Sequence, residues 1–170
     1  MTAALRAAPT ARAARAEPAD AEALFALSAP FMRSGELRER PPAAYRRPEE
    51  LFLVVRAPAH DAYDAPGAPL DACVALRVLA PERGHPATGL LHNLCVRADR
   101  QGRGLGSVLV SAVSAAARRA GLRALVTATT GDGALFLRHG YREIPAAAAP
   151  PAFAAGLDPA RGSRVFARPL

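Results

Sequence analysis

One stretch narrows the choice of folds more than any other: residues 94–107, LCVRADRQGRGLGS. An apolar strand ends at Val96, a charged turn follows, and Gln101-Gly102-Arg103-Gly104-Leu105-Gly106 opens a long amphipathic helix. Leu105, Val108, Leu109, Ala112, Val113 and Ala116 recur on one helical stripe, and Gly121 stands where a C-terminal cap belongs. A helix start of this kind binds anions, because its first amides have no partner within the helix and point together. Glycines at 104 and 106 let a phosphate approach without meeting a Cβ, while Arg100 and Arg103 add charged donors. The expected ligand is a diphosphate.

Elimination narrows the diphosphate. A nucleotide P-loop needs Gly-Lys-Ser/Thr after the turn, and the chain has no lysine. A Rossmann turn needs G-x-G-x-x-G with an acid about 20 residues on. Here the glycines fall at 102, 104 and 106, and the strand around Val126 carries no acid. The pyrophosphate of coenzyme A remains.

The elements around this segment predict a mixed α/β (α+β) fold. Strands are expected at 11–16, 51–57, Leu70–Leu79 and Thr88–Val96, the last three joined by turns into an antiparallel meander. A helix fits 19–27, between Pro18 and Pro30, and Pro41 and Pro42 break 31–47 into short helical pieces. Residues 60–69 are expected to form a Pro/Gly/Asp loop. After the helix at 104–120 come a buried strand at Ala124–Thr129, a short helix at 134–139, an Ala/Pro-rich loop and a last strand at 163–167. At 170 residues the chain holds one domain, expected over 11–170 behind a flexible tail at 1–10.

At this point the chain resembles a family. Arg100-Gln101-Gly102-Arg103-Gly104-Leu105-Gly106 is similar to the Q/R-x-x-G-x-G/A signature of the GNAT acetyltransferases. Phe136-Leu137-Arg138-His139-Gly140-Tyr141 is similar to their F/Y-x-x-x-G-F/Y. The resemblance implies the GNAT fold, a mostly antiparallel sheet flanked by helices and splayed between 94–96 and 125–129. It also implies acetyl-CoA as cosubstrate, held by Leu94, Cys95, Val96, Arg100, Gln101, Gly102, Arg103, Gly104, Leu105, Gly106, Ser107 and Phe136. The backbone N–H of Val96 would serve as oxyanion donor.

A narrower resemblance, to the acetyltransferase domain of N-acetylglutamate synthases, rests on three segments. These are residues 31–40 (FMRSGELRER), Thr129-Thr130, and Arg161-Gly162-Ser163-Arg164-Val165-Phe166. It implies that Arg161 and Ser163 hold one carboxylate of an acidic amino acid, with Arg40 or Arg38 on the other; arginine forks suit that work. The regulatory kinase-like domain of the long synthases has no counterpart in these 170 residues, so arginine feedback through it is not expected. Another amine acceptor, or an acyl-CoA-binding module without turnover, is the competing reading.

Acetyl transfer needs a neutral amine, a polarised thioester and a proton for the thiolate. The family's usual glutamate base falls at Leu90, and its usual tyrosine acid at Phe136. His92 is the candidate base, two residues along the strand and on the same face by alternation, which sets Asn93 on the opposite face. Tyr141 is expected to pack, and Cys95 is not expected to carry the acetyl group.

Composition adds exclusions. All 22 basic residues are arginine, against 15 acids, for a formal charge of +7. The arginines are scattered and aromatics make up 5%, so no nucleic-acid stacking surface is expected. Cys73 and Cys95 lie in apolar runs and read as buried thiols. No apolar run is long enough for a membrane span or a secretory leader, and no metal cluster is visible. The expectation is a cytoplasmic enzyme taking a small-molecule amine, with a homodimer common in the family.

Overall fold

The structure, a computed structural model, describes residues 11–57 and 69–170. The expected tail at 1–10 and most of the expected loop at 60–69 lie outside them. The described residues form a seven-stranded sheet. In its first half β1 (Ala14–Arg15), β2 (Glu50–Arg56), β3 (Leu70–Leu79) and β4 (Thr88–Val96) run antiparallel in sequence order. In its second half β5 (Ala124–Thr129) lies beside β7 (Arg164–Pro169), and β7 beside β6 (Arg142–Ile144), again antiparallel.

Period-2 alternation gives the sheet two apolar faces. Leu53, Val55, Val74, Leu76 and Leu91 pack on Leu109, Val110 and Val113 of α2 (Leu105–Arg119). On the other face Phe52, Val54, Cys73, Ala75 and Cys95 meet Leu24 and Leu27 of α1 (Ala21–Arg33). Asp20 and Arg56, both buried, join the start of α1 to the end of β2 through two parallel hydrogen bonds of 2.7 and 2.8 Å.

The expected helix at 19–27 differs at both ends. A 3-10 turn at Pro18–Asp20 precedes α1, and α1 continues through Pro30 to Arg33. A proline late in a helix removes one hydrogen bond and keeps a helical φ, and continuing the helix packs Phe31 against the α1-side core. The first expected strand shortens to Ala14–Arg15. Two elements were not foreseen: β6, and α4 (Pro151–Ala155) within the Ala/Pro-rich loop, where Phe153 is buried beside Val126 and Val165. The short helix α3 (Ala134–Arg138) falls where expected. Gly133 before it has φ 72°, and a Cβ there would stand 2.1 Å from the Phe166 ring, so only glycine fits.

The two half-sheets meet along a short seam. β4 and β5 pair in parallel only at Thr88↔Ala124, Gly89↔Leu125 and Leu90↔Val126. Beyond Leu90 the strands diverge, each still paired to its outer neighbour. The expected splay is therefore present. β4 also carries a bulge, since Cys73 faces Cys95 while Ala75 faces His92, and Asn93 takes φ 51°.

Candidate active site

The gap between β4 and β5 is bordered by free backbone. Arg97 N–H bonds the Asp71 carbonyl at 2.8 Å, so Ala72↔Val96 is a non-hydrogen-bonded pair by antiparallel alternation. The backbone groups of Val96 thus point away from β3 into the gap. Its carbonyl accepts from Gln101 Nε2 at 3.1 Å, which folds the turn back onto the strand end. Gly104 caps α2 with φ 80°, leaving the amides of Leu105, Gly106 and Ser107 as first-turn donors. These features border a cleft of about 580 Å³ lined by Leu94, Cys95, Val96, Gln101, Gly106 and Phe136, among others.

The remaining residues of the glycine-rich turn sit at its rim. Gly102, Arg103 and Gly104 are exposed; Leu105 is buried in the α2-side core and Ser107 is half-buried. Arg100 turns toward Asp71, with Nε 3.6 Å from its carboxylate. An open strand edge leading to glycine-spaced helix amides suits a long, amide-bearing, diphosphate-ended molecule, so the site fits coenzyme A.

A second cavity of about 240 Å³ adjoins the cleft and brings together Arg38, Arg40, Arg161 and Ser163. Two of these arginines brace its roof. Arg38 Nη1 donates to the Gly156 carbonyl at 2.7 Å, and Arg161 Nη2 donates to Gly35 and Glu36 carbonyls at 2.9 and 3.2 Å. Each thus ties the segment after α1 to the segment around α4. His92 and Asn93 border both cavities.

His92 has a partner that sequence reasoning missed. Its Nε2 lies 2.7 Å from Oε2 of Glu50, which is 8% exposed. Arg77 donates to Oε1 of the same carboxylate through Nε at 2.9 Å and also through Nη2, and Arg40 stands 3.8 Å away. Burial would raise the Glu50 carboxyl, but hydrogen bonds and charge from His92 and Arg77 overcome it and hold it at about 2. Burial lowers the His92 imidazole below its ordinary value; Glu50 opposes this and Arg40 adds to it. This downward shift favours the neutral ring, and because the carboxylate can only accept, Nε2 carries the hydrogen. Nδ1 is buried, and among the described residues nothing bonds to it.

Asn93 does not lie on the opposite face from His92, as simple alternation predicts. The bulge turns it to the α1 side, where Nδ2 donates to Ser28 Oγ at 2.9 Å and Oδ1 accepts from Tyr45 at 3.3 Å. Cys73 and Cys95 are both buried with sulfurs 3.5 Å apart; the Cys95 sulfur and burial push the Cys73 thiol well up. Tyr141 is buried edge-on to Phe136, and burial pushes its hydroxyl up to about 12. Both aromatics pack rather than titrate near pH 7. Among the described residues no group of His, Cys, Asp or Glu could hold a metal ion, and no helix is long and apolar enough to cross a membrane.

Fold and cleft define an acyl-CoA-dependent transferase. A family profile described as "Acetyltransferase (GNAT) domain" matches residues 50–143. The chain belongs to the GNAT acetyltransferases, whose acyl donor is acetyl-CoA. No curated protein matches it significantly. Among solved structures it is similar to N-acetylglutamate synthase from Neisseria gonorrhoeae, complexed with coenzyme A and N-acetyl-glutamate, at TM-score 0.77 and 22% identity. That match covers 96% of this chain and 36% of the synthase, so the chain spans about a third of it. A GNAT acetyltransferase from Staphylococcus aureus gives TM-score 0.73 at 14% identity, covering 95% and 99% of the two chains. A Mycobacterium tuberculosis protein in complex with CoA gives 0.67 at 20%, covering 93% and 98%. At these identities the likeness is one of fold.

Proposed function

We propose that this enzyme acetylates the α-amine of a small acidic amino acid, L-glutamate first, by direct transfer from acetyl-CoA. One observation carries the reading: Arg38, Arg40, Arg161 and Ser163, drawn from distant segments, line one cavity whose wall at His92 is shared with the donor cleft. Arg161 keeps Nε and Nη1 for a carboxylate beyond its bonds to the roof, and Arg40 offers a second cation. The similarity to a synthase structure holding N-acetyl-glutamate supports the same acceptor.

In the proposed step the amine nitrogen attacks the thioester carbonyl, and the Val96 N–H receives the developing oxyanion. His92 accepts the amine proton; the carbon–sulfur bond breaks and the thiolate leaves, to be protonated by solvent. Leu94, Cys95, Gln101 and the amides of Gly102 to Ser107 would hold pantetheine and pyrophosphate, with Arg103 on the phosphates.

The test is thiol release from acetyl-CoA across amino acids, polyamines and short peptides. Turnover with L-glutamate is expected, and Arg161→Ala should raise its KM about 10- to 100-fold, the worth of one charged hydrogen-bonded contact. Turnover only with a non-acidic amine would overturn the acceptor assignment and leave the family assignment standing.

A further inference from the structure

The position that supplies the base in many relatives is Leu90 here, yet a carboxylate still reaches this part of the sheet. Glu50 on β2 faces Arg77 on β3, and Arg77 faces Leu90 on β4, so the three share one cross-sheet row. Ala75, the residue opposite both Phe52 and His92, has a side chain too small to fill the space above β3. The Glu50 carboxylate and His92 ring meet there at 2.7 Å.

We propose that Glu50 is a positioning residue for acetyl transfer: it holds His92 as the Nε2–H tautomer and leaves Nδ1 free to take the amine proton. The inference rests on His92 being the base. The geometry is that of a base oriented by a buried carboxylate, with Arg77 fixing the carboxylate in turn. In the step the amine N–H bond breaks, its proton goes to Nδ1, and Nε2–H stays bonded to Glu50. The imidazolium so formed keeps its Nε2–H on Glu50 Oε2, which favours it, while Arg40 and Arg77 on the same carboxylate oppose it. The charged and titratable groups around the ring are Glu50 from β2, Arg77 from β3, Arg40 from the segment after α1, and Tyr45, whose hydroxyl bonds the neighbouring Asn93.

Two measurements on the full chain test this. The first is kcat/KM against pH with acetyl-CoA and L-glutamate for wild type, Glu50→Gln, His92→Gln and the double variant. His92→Gln should lose about 100-fold or more, and Glu50→Gln about 10- to 100-fold in kcat with the acetyl-CoA KM unchanged. The Glu50→Gln acidic limb should move to lower pH, because the group favouring the imidazolium is gone. The double variant should be no slower than His92→Gln. The second measurement is the 15N spectrum of the His92 ring in wild type, which reads the tautomer without turnover. Nε2–H at neutral pH is expected. A wild-type rate in His92→Gln would overturn the base reading itself. An Nδ1–H tautomer, or additive losses in the double variant, would overturn the role of Glu50 while leaving the base reading intact.

Discussion

Glu50 shows how much one buried side chain can depend on its neighbours. Against the upward push of burial, His92 and Arg77 hold its carboxyl at about 2, where 4.5 is ordinary. A carboxyl depressed in the folded state contributes stability that is complete above its unfolded value and disappears as pH falls through the folded one. The window for Glu50 runs from pH 4.5 down to about 2. Thermal midpoints of Glu50→Gln should therefore vary less across that window than those of wild type. Parallel curves for the two proteins would mean the carboxylate contributes nothing there. The residue is invisible to a reading of sequence, because Glu49 and Glu50 are equivalent on paper until the register of three strands selects the inward one. Arg77 is hidden for the same reason, standing in β3 as one of 22 arginines.

At the scale of elements, local chemistry was legible and long-range geometry was not. The turn at 100–106 and helix α2 were readable because their signals are contiguous: apolar stripe, glycines, capping residue. The meander was readable from strand content and turn residues. The bulge at Asn93 was not, since its cause is a buried side chain bonded to Ser28 and Tyr45, residues 65 and 48 positions away. α1 runs past Pro30 because the one hydrogen bond lost there is offset by packing the half-buried Phe31 against the α1-side core. α4 went unseen because five residues of Pro, Ala and Phe carry no periodicity. The join between α1 and β2 yields a prediction of its own. Removing Asp20 takes two charge-assisted hydrogen bonds from the buried Arg56, so Asp20→Ala should cost about 3–5 kcal/mol. Chemical denaturation reads this as a lower midpoint with unchanged slope; a shift near zero would mean the pair is replaced by solvent at no loss.

For the molecule as a whole, donor binding and folding are linked. A ligand that binds only the folded chain adds about 2.7 kcal/mol at 100 times its Kd, so coenzyme A should raise the thermal midpoint. Ser107, third residue of α2, allows the two effects to be separated. An acid in the first turn favours the helix dipole yet repels a phosphate, so Ser107→Glu should keep the unliganded midpoint and lose most of the coenzyme A shift. An undiminished shift would remove the α2 start from the phosphate site.

The three-pair seam between β4 and β5 divides the sheet into two units whose backbones barely join and whose side chains share one core. Local unfolding proceeds through such units at free energies below that of global unfolding. For the half built from β5, β7 and β6 to come away, three rungs break and Leu125, Phe136, Tyr141 and Phe166 leave the core they share with α2. A pantetheine arm on the free edge of β4 would act as a removable rung, so the barrier to opening would rise and fall once per catalytic cycle.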